Sequence, residues 1–292
     1  MRRISLLGPG TFSEESAHYF LAGVPHELLP FKLISEVFQA VVSGRADLAV
    51  IPIENTLEGS VSQHLDWLVH EVDLPIQAEW VYPITMNLIG HPLPPAREGE
   101  EPRARLRHLR KVLSHPVALG QCRAFLRTWL PEAEVEPVGT TAEGARLARE
   151  RSPEEGVAAI GSTASARLYG LALLAEHIED HPDNATRFVL VGPQPLVLPR
   201  PGHPKTSLLI TLPADFPGAL HQVLSAFARR QVNLVRIESR PTRKKLGSYF
   251  FFIDVETPLA TEPMPSVLAE IESLGCSVRV LGSYPSHGVQ PP

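Results

Sequence analysis

The chain has only two cysteines, Cys122 and Cys276, far apart and outside any metal-ligand spacing. Their scarcity argues against a disulfide framework and a zinc site, and it is typical of a reducing, cytoplasmic compartment. No basic block stands out from a formal net charge of -5, so no nucleic-acid partner is indicated. No apolar run approaches membrane-spanning length, and the run Ile4–Leu7 stops at Gly8–Gly10, too early for a signal peptide.

The length and composition of the chain are typical of an ordinary globular protein. A chain of 292 residues with 43% hydrophobic and 20% charged residues predicts two or three domains. Proline is dense in two stretches, with four of the 29 prolines in residues 91–107 and five in residues 192–205. Residues 91–107 are interpreted as an exposed excursion, and residues 192–205 as a stiff extended linker that marks the best domain boundary.

Four apolar runs end in polar residues where a helix is predicted to begin, near residues 8–13, 53–60, 113–121 and 160–165. Parallel α/β sheets bind ligands at the carboxyl ends of their strands, so each junction is a candidate contact. A strand end capped by satisfied polar groups is the alternative at each one. The repetition predicts two α/β lobes that face each other across a cleft.

Two of these junctions carry local helix signals. Thr11 followed by Glu14 matches a capping box, and a helix start presents free N–H groups to an anion. After the third run, a helix is predicted from about Val117 to Leu130, with His115 near its start as a supporting residue rather than a base.

A dense polar cluster precedes the buried run Phe188–Val191. Asp183, Asn184, Thr186 and Arg187 supply a carboxylate, an amide, a hydroxyl and a guanidinium within five positions. The cluster is either a turn held by local side-chain bonds or part of a site. The four junctions elsewhere in the chain favour the site.

The chain after the linker predicts a ferredoxin-like βαββαβ unit. Its predicted strands and helices, in order, are strand 206–212, helix 218–231, strand 233–240, strand 247–256, helix 265–274 and strand 276–284.

Several motifs together make the sequence resemble a known family. They are Gly8–Glu14 (GPGTFSE), Ile51–Thr56 (IPIENT), Ser114–Pro116 with Gln121–Cys122, Asn184–Phe188 (NATRF), Gly218–Leu220 and Glu238–Pro241. In this order they resemble the prephenate dehydratase family with a C-terminal ACT regulatory domain. The resemblance implies an α/β fold, with a two-lobed catalytic domain like the type II periplasmic binding proteins and a ferredoxin-like ACT domain.

The catalytic domain is expected at 1–191, with lobe 1 at about 1–80 and 165–191 and lobe 2 at about 81–164. A linker at 192–204, an ACT domain at 205–284 and a tail at 285–292 complete the chain.

The resemblance implies decarboxylating dehydration of prephenate to phenylpyruvate in L-phenylalanine biosynthesis, without a cofactor or metal. Aromatisation drives the reaction, so the protein must hold two carboxylates, help the ring hydroxyl leave and exclude water. The expected catalytic residues are Thr186, Asn55, Ser114, Gln121 and Glu54. The expected substrate-binding residues are Thr11, Phe12, Ser13, Thr56, Arg187 and Phe188.

The sequence alone leaves the roles of three residues, the substrate and the function open between alternatives. Thr186 either transfers a proton to the leaving hydroxyl or only positions it. Arg187 either binds a substrate carboxylate or forms an ion pair with Asp183 or Glu54. Phe188 packs either on the substrate ring or in the core. Arogenate is an alternative substrate, and an amino-acid sensor without catalysis is an alternative function.

The ACT domain implies feedback by L-phenylalanine, bound between ACT domains of two subunits in a homodimer or homotetramer. The expected effector-binding residues are Gly218, Ala219, Leu220, Asn233, Glu238, Ser239, Arg240 and Pro241.

Overall fold

The computed structural model describes residues 1–95, 101–243 and 249–289, and the chain divides into two compact units. Met1–Trp67 and Val81–Phe188 form the body of the first unit, and Leu68–Trp80 with Val189–Gly288 forms the second. Within the described ranges, no helix combines the length and apolar character needed to cross a membrane.

The α/β class predicted from the sequence is observed. The strands in the described residues are β1 (Arg2–Leu7), β2 (His26–Phe31), β3 (Leu48–Asn55), β4 (Gly59–Ser60), β5 (Ile76–Pro83), β6 (Asn87–Gly90), β7 (Lys111–Ser114), β8 (Glu134–Pro137), β9 (Val157–Gly161), β10 (Ala172–Ala175), β11 (Ala185–Val191), β12 (His203–Thr211), β13 (Leu234–Pro241), β14 (Tyr249–Val255) and β15 (Ser277–Val289). The α-helices are α1 (Phe12–Phe20), α2 (Ile34–Val42), α3 (Ser62–Asp66), α4 (Pro116–Gly120), α5 (Arg123–Trp129), α6 (Thr141–Glu150), α7 (Thr163–Tyr169), α8 (Ala219–Arg229) and α9 (Met264–Ser273). A π-helical turn spans Trp67–Glu71, and 3-10 turns span Pro102–His108 and Pro153–Glu155.

The first sheet of the first unit places three strand ends at one edge. Strands β2, β1 and β3 are neighbours and run parallel, with Leu7 opposite Phe31 and Ile4 opposite Leu48. The apolar side chains of β1 and β3 are almost fully buried, as a continuous apolar run predicts. Strand β11 lies on the other side of β3. The carboxyl ends of β1, β2 and β3 therefore meet where parallel sheets bind ligands.

The second sheet of the first unit has the strand order β10-β6-β9-β7-β8. Small buried residues on α6, including Ala145 and Ala148, pack with Leu113 and Ala159 of this sheet, so the helix lies close to the strands. Strand β10 falls within the predicted first lobe but pairs antiparallel with β6 of the second sheet. The second lobe therefore takes residues beyond its predicted end at 164.

The second unit shows the predicted βαββαβ succession, β12-α8-β13-β14-α9-β15. These strands form an antiparallel sheet in the order β13-β14-β12-β15. Side chains at helical spacing on α8 and α9 are fully buried against it, among them Val223, Phe227, Val267 and Ile271.

Residues 68–80 belong to the second unit although they lie far from the rest of it in sequence. The Arg279 guanidinium on β15 donates to the carbonyl oxygen of Val69 at 2.8 Å. The Glu79 carboxylate on β5 is 1% exposed and forms an ion pair with Lys205 on β12. A buried charge pair of this kind fixes one strand against another, because either charge alone would be costly to bury.

The helix predicted from Val117 to Leu130 is instead two helices, α4 and α5, separated at Gln121–Cys122. The Asp180 carboxylate accepts a hydrogen bond from the Ala124 N–H at 3.1 Å. This contact satisfies an N–H group in the first turn of α5, so the chain can end one helix and begin another.

The predicted ends of the C-terminal domain also shift. Strand β12 begins at His203, inside the predicted linker, and β15 continues to Val289. Residues 285–289 are therefore strand rather than tail, because β15 pairs with β12 as far as Ser286 opposite His203. The tail residues 290–292, the first two positions of the strand predicted at 247–256 and part of the excursion at 91–107 lie outside the described residues.

Candidate active site

A cleft of about 840 Å³ opens in the first unit at the carboxyl ends of β1, β2 and β3. Three of the four predicted junctions contribute to its lining, and all the lining residues belong to the first unit. Its polar and aromatic lining residues are Thr11, Phe12, Ser13, Lys32, Ser35, Asn55, Glu58, Ser60, Gln63, His64, Trp67, His115, Gln121, Thr140, Thr141, Asn184, Thr186 and Phe188.

Asn55, at the end of β3, is the centre of the hydrogen bonding. Its Nδ2 lies 2.8 Å from Asn184 Oδ1, 3.1 Å from the Ala185 carbonyl oxygen and 3.0 Å from Thr186 Oγ1. Its Oδ1 accepts from the backbone N–H groups of residues 57 and 58 at 3.0 and 3.1 Å. The amide plane is thereby fixed from both ends.

The direction of the Asn55–Thr186 bond determines what Thr186 can do. An amide nitrogen can only donate, so Thr186 Oγ1 is the acceptor. The hydroxyl proton of Thr186 is left for another partner, and Thr186 is 8% exposed in the lining of the cleft. The geometry therefore presents Thr186 to a bound molecule as a hydrogen-bond donor.

Three amide side chains in the cleft lining, those of Asn55, Asn184 and Gln121, are linked by hydrogen bonds. Asn184 is 1% exposed, and its Nδ2 donates to Gln121 Oε1 at 3.0 Å. Gln121 Nε2 lies 3.5 Å from Glu58 Oε1, a long contact. The Gln121 amide hydrogens are consequently the least engaged donors of this network.

Hydrogen bonds of Thr56 connect the end of β3, which carries Asn55, to the start of β11, which carries Thr186. The Thr56 N–H donates to the Ala185 carbonyl oxygen at 2.9 Å, and the Ala185 N–H donates to Thr56 Oγ1 at 3.0 Å. Thr56 also donates to the Asp183 carbonyl oxygen at 3.2 Å. Thr56 itself does not line the cleft, so its contacts join β3 to β11 within the described part of the chain.

The loop before α1 contributes the first junction. Thr11 is the N-cap, as predicted, and its Oγ1 accepts from the Glu14 N–H at 3.4 Å. The Glu14 carboxylate accepts from the Gly10 N–H at 2.6 Å rather than from Thr11. Phe12 and Ser13, the first residues of α1, line the cleft beside Thr11.

Four predicted site residues, Glu54, Thr56, Ser114 and Arg187, lie outside the cleft lining. Ser114 is fully buried, and its hydroxyl donates to the Ile160 carbonyl oxygen at 2.7 Å. Arg187 is 8% exposed and pairs with Glu54 at 3.3 Å, which is one of the two ion pairs considered from the sequence. Phe188 is 1% exposed and also lines the cleft, so its core packing is observed and its contact with a substrate ring stays a prediction.

Several lining residues were not singled out from the sequence as site residues. Asn184 was noted in the polar cluster without a role, and Lys32, Glu58, His64 and Trp67 were not assigned to a site at all. Burial lowers the pKa of His64, whose Nδ1 lies 2.8 Å from the Pro52 carbonyl oxygen. Lys32 and Glu58 follow the ends of β2 and β3 by one and three positions, which is their only local signal, and no polar motif stands beside Lys32.

A smaller cavity of about 520 Å³ lies in the second unit at the start of α8. Gly218, Ala219 and Leu220, three of the residues predicted to bind the effector, line it. Asn233 and Glu238–Pro241 do not, and the Glu238 carboxylate is held between the guanidinium groups of its neighbours on β13 at 2.7 and 2.9 Å. The single chain thus brings together only the first part of the predicted effector site within the described residues.

Comparisons with known proteins agree across both units. The prephenate dehydratase family model matches residues 4–195, and the ACT domain model matches residues 206–276. The prephenate dehydratase of Bacillus subtilis is 38% identical over 293 residues, covering 98% of this chain and 99% of that protein.

Two solved structures are similar to almost the whole chain. A prephenate dehydratase from Arthrobacter aurescens in complex with L-Phe has a TM-score of 0.83 and 36% identity, covering 97% of this chain and 89% of that one. A structure described as a novel type of quorum quenching acylase has a TM-score of 0.82 and 29% identity, covering 98% of each chain.

Proposed function

The chain belongs to the prephenate dehydratase family and carries an ACT domain, and on that premise we propose that Thr186 protonates the leaving hydroxyl of prephenate in the cleft described above. The protein is a lyase that converts prephenate to phenylpyruvate, carbon dioxide and water. The bond from the ring to the carboxylate breaks, its electron pair moves into the ring, and the carbon–oxygen bond at the opposite ring carbon breaks. The departing hydroxyl needs one proton to leave as water.

The observation that carries this proposal is the bond from Asn55 Nδ2 to Thr186 Oγ1 at 3.0 Å. Thr186 accepts this bond, and among the described residues no group accepts a hydrogen bond from its hydroxyl. The donated hydrogen bond also stabilises negative charge on Oγ1, which makes the hydroxyl a better acid. General acid catalysis of this kind contributes about 10² to 10⁴ in rate.

Asn55 thereby acts through Thr186 rather than on the substrate. Its two amide hydrogens already face three acceptors within 3.1 Å. Gln121, whose Nε2 has only a 3.5 Å contact, is the better candidate for a donor to substrate oxygens. Ser114, Glu54 and Arg187 support the strand ends instead, since they lie outside the cleft lining.

Two other activities are considered alongside prephenate dehydration. Arogenate differs from prephenate by an amine in place of the side-chain keto group, so it fits the same proposal and is run in parallel. Amide hydrolysis, attributed to one solved relative, requires a base beside a nucleophile. Among the described residues, the Thr186 hydroxyl bonds to an amide and to no histidine or carboxylate.

We also propose that L-phenylalanine inhibits the enzyme by binding at the cavity at the start of α8. Gly218 there has φ +90°, a left-handed conformation that only glycine adopts without strain. Since Glu238–Pro241 do not line this cavity in one chain, we propose that a second copy supplies them across an ACT–ACT contact in a homodimer or homotetramer. An effector acts only if it binds one arrangement of the enzyme better than another.

We also propose the domain bounds and the cellular location that the sequence predicts. The catalytic domain is 1–191, and the ACT domain begins after the linker that starts at residue 192. The predicted cytoplasmic location agrees with two cysteines that are both free and buried.

The first experiment measures phenylpyruvate formation from prephenate by the purified protein, with arogenate in parallel and with or without L-phenylalanine. Thr186→Val, which keeps the shape and removes the hydroxyl, should lower kcat by at least a hundredfold. Thr186→Ser should restore much of it. Full activity of Thr186→Val would exclude the hydroxyl as the acid, and turnover insensitive to L-phenylalanine would contradict the regulatory proposal.

A further inference from the structure

The two carboxylates of prephenate need a positively charged group in the cleft, and the residues predicted from the sequence do not supply one there. Prephenate carries two carboxylates, and Arg187, the cation predicted to hold one of them, is paired with Glu54 outside the lining. Lys32 is the only lysine or arginine among the described residues that line the cleft. We propose, on the basis of the function above, that Lys32 binds the side-chain carboxylate of prephenate.

The position of Lys32 fits this role. It follows Phe31, the last residue of β2, and the Phe31 carbonyl oxygen accepts from the Gly8 N–H at 3.1 Å. This bond places Lys32 beside the loop that leads into α1, where Thr11 and Ser13 line the same cleft. Lys32 and the first turn of α1 thus line the same cleft, where an ammonium group and the positive end of a helix both favour a carboxylate.

Lys32 is also available for a ligand. Its side chain is exposed, and it forms no ion pair with a carboxylate in the described part of the chain. The other two described lysines are occupied, since Lys111 pairs with Glu136 at 2.7 Å and Lys205 pairs with Glu79.

The chemistry selects which of the two carboxylates Lys32 holds. The ring carboxylate must give up its negative charge to leave as carbon dioxide, so a cation paired with it would stabilise the ground state and slow the reaction. The side-chain carboxylate keeps its charge throughout and is still present in phenylpyruvate. A cation there binds substrate, transition state and product equally, which lowers KM without changing kcat.

The test compares Lys32→Gln, Lys32→Arg and the control Arg127→Gln. Arg127 is an exposed cation on α5 outside the cleft, so its substitution changes the net charge equally. Lys32→Gln should raise KM for prephenate roughly tenfold to a hundredfold, as loss of a charged hydrogen bond predicts, and change kcat less than about threefold. Its inhibition constant for phenylpyruvate should rise by the same factor. Lys32→Arg should recover most of the affinity, and Arg127→Gln should match the wild type.

The possible results separate the inference from the function on which it rests. A wild type that does not turn over prephenate would overturn the proposed function itself. A wild type that turns it over, with Lys32→Gln unchanged in KM, would overturn only the role of Lys32. A raised KM with an unchanged inhibition constant for phenylpyruvate would overturn the assignment to the side-chain carboxylate, and a loss confined to kcat would exclude a binding role.

Discussion

Asn55→Asp should damage the enzyme more than Asn55→Ala, although aspartate has nearly the shape of asparagine. The substitution replaces a donor nitrogen by an oxygen that can only accept at neutral pH. The Thr186 hydroxyl would then donate its proton to the introduced carboxylate. The direction of the 3.0 Å bond is reversed, and the proton needed by the leaving hydroxyl is committed elsewhere.

General acid catalysis sets the expected size of both effects. Loss of the general acid predicts a fall in kcat of about 10² to 10⁴ for Asn55→Asp. Asn55→Ala leaves the Thr186 hydroxyl unoriented but free to donate, so its fall should be about tenfold to a hundredfold. The folded state should lose only about 1–3 kcal/mol in either variant, because the residue is partly buried and the N–H groups of residues 57 and 58 are exposed and can bind water.

The assay measures kcat for phenylpyruvate formation at saturating prephenate, together with the urea midpoint of each variant. Gln39→Glu is the matched control, since it makes the same amide-to-carboxylate change on an exposed position of α2. If Asn55→Asp kept kcat within tenfold of the wild type while folded, or exceeded Asn55→Ala, the assignment of the donor direction would be refuted.

Three further predictions concern other parts of the molecule. Burial lowers the pKa of His64, so the unfolded chain binds its proton more readily; stability is then lost as pH falls below about 6.5, and His64→Asn should flatten the change in urea midpoint between pH 7 and 5. Gly218→Ala, at φ +90°, costs about 1–2 kcal/mol in the backbone and should weaken L-phenylalanine inhibition at least fivefold, whereas Gly170→Ala, at φ +62°, should not change it. Lys205→Met removes the cation paired with the buried Glu79 carboxylate, which keeps hydrogen bonds from Tyr284 and Ser286, and should lower the free energy of unfolding by about 3 kcal/mol; adding Glu79→Gln should recover part of this loss in urea titrations.

The sequence predicted well where the determining contacts are local. Thr11 caps α1 through a group three positions away, and the βαββαβ succession follows from apolar spacing within each segment. The break between α4 and α5 could not be predicted, because the N–H group of Ala124 is satisfied by Asp180, 56 positions away. A helix start that depends on a distant carboxylate has no local signal.

The site divides in the same way. Thr186 and Asn55 were singled out because Thr186 lies at the start of the buried strand β11 and Asn55 at the end of β3, each within a recognisable motif, and both line the cleft. The role of Asn184 was missed because its partners, Asn55 and Gln121, are 129 and 63 positions away. Lys32 follows a short strand without a polar motif, and only the pairing of β2 with β1 brings it to the cleft.

Residues 68–80, which pack with the C-terminal part of the chain, limit how this protein can be divided or recombined. A truncation at Gly192 would remove the contacts of Arg279 with Val69 and of Lys205 with Glu79. Loss of activity in that fragment would therefore not show whether the C-terminal domain is needed for inhibition by L-phenylalanine. A transplant of the regulatory module from a relative would need three cuts, two around this internal segment and one before the linker. Point substitutions at the start of α8 are therefore the cleaner way to separate regulation from catalysis, and natural exchange of the module between genes faces the same barrier.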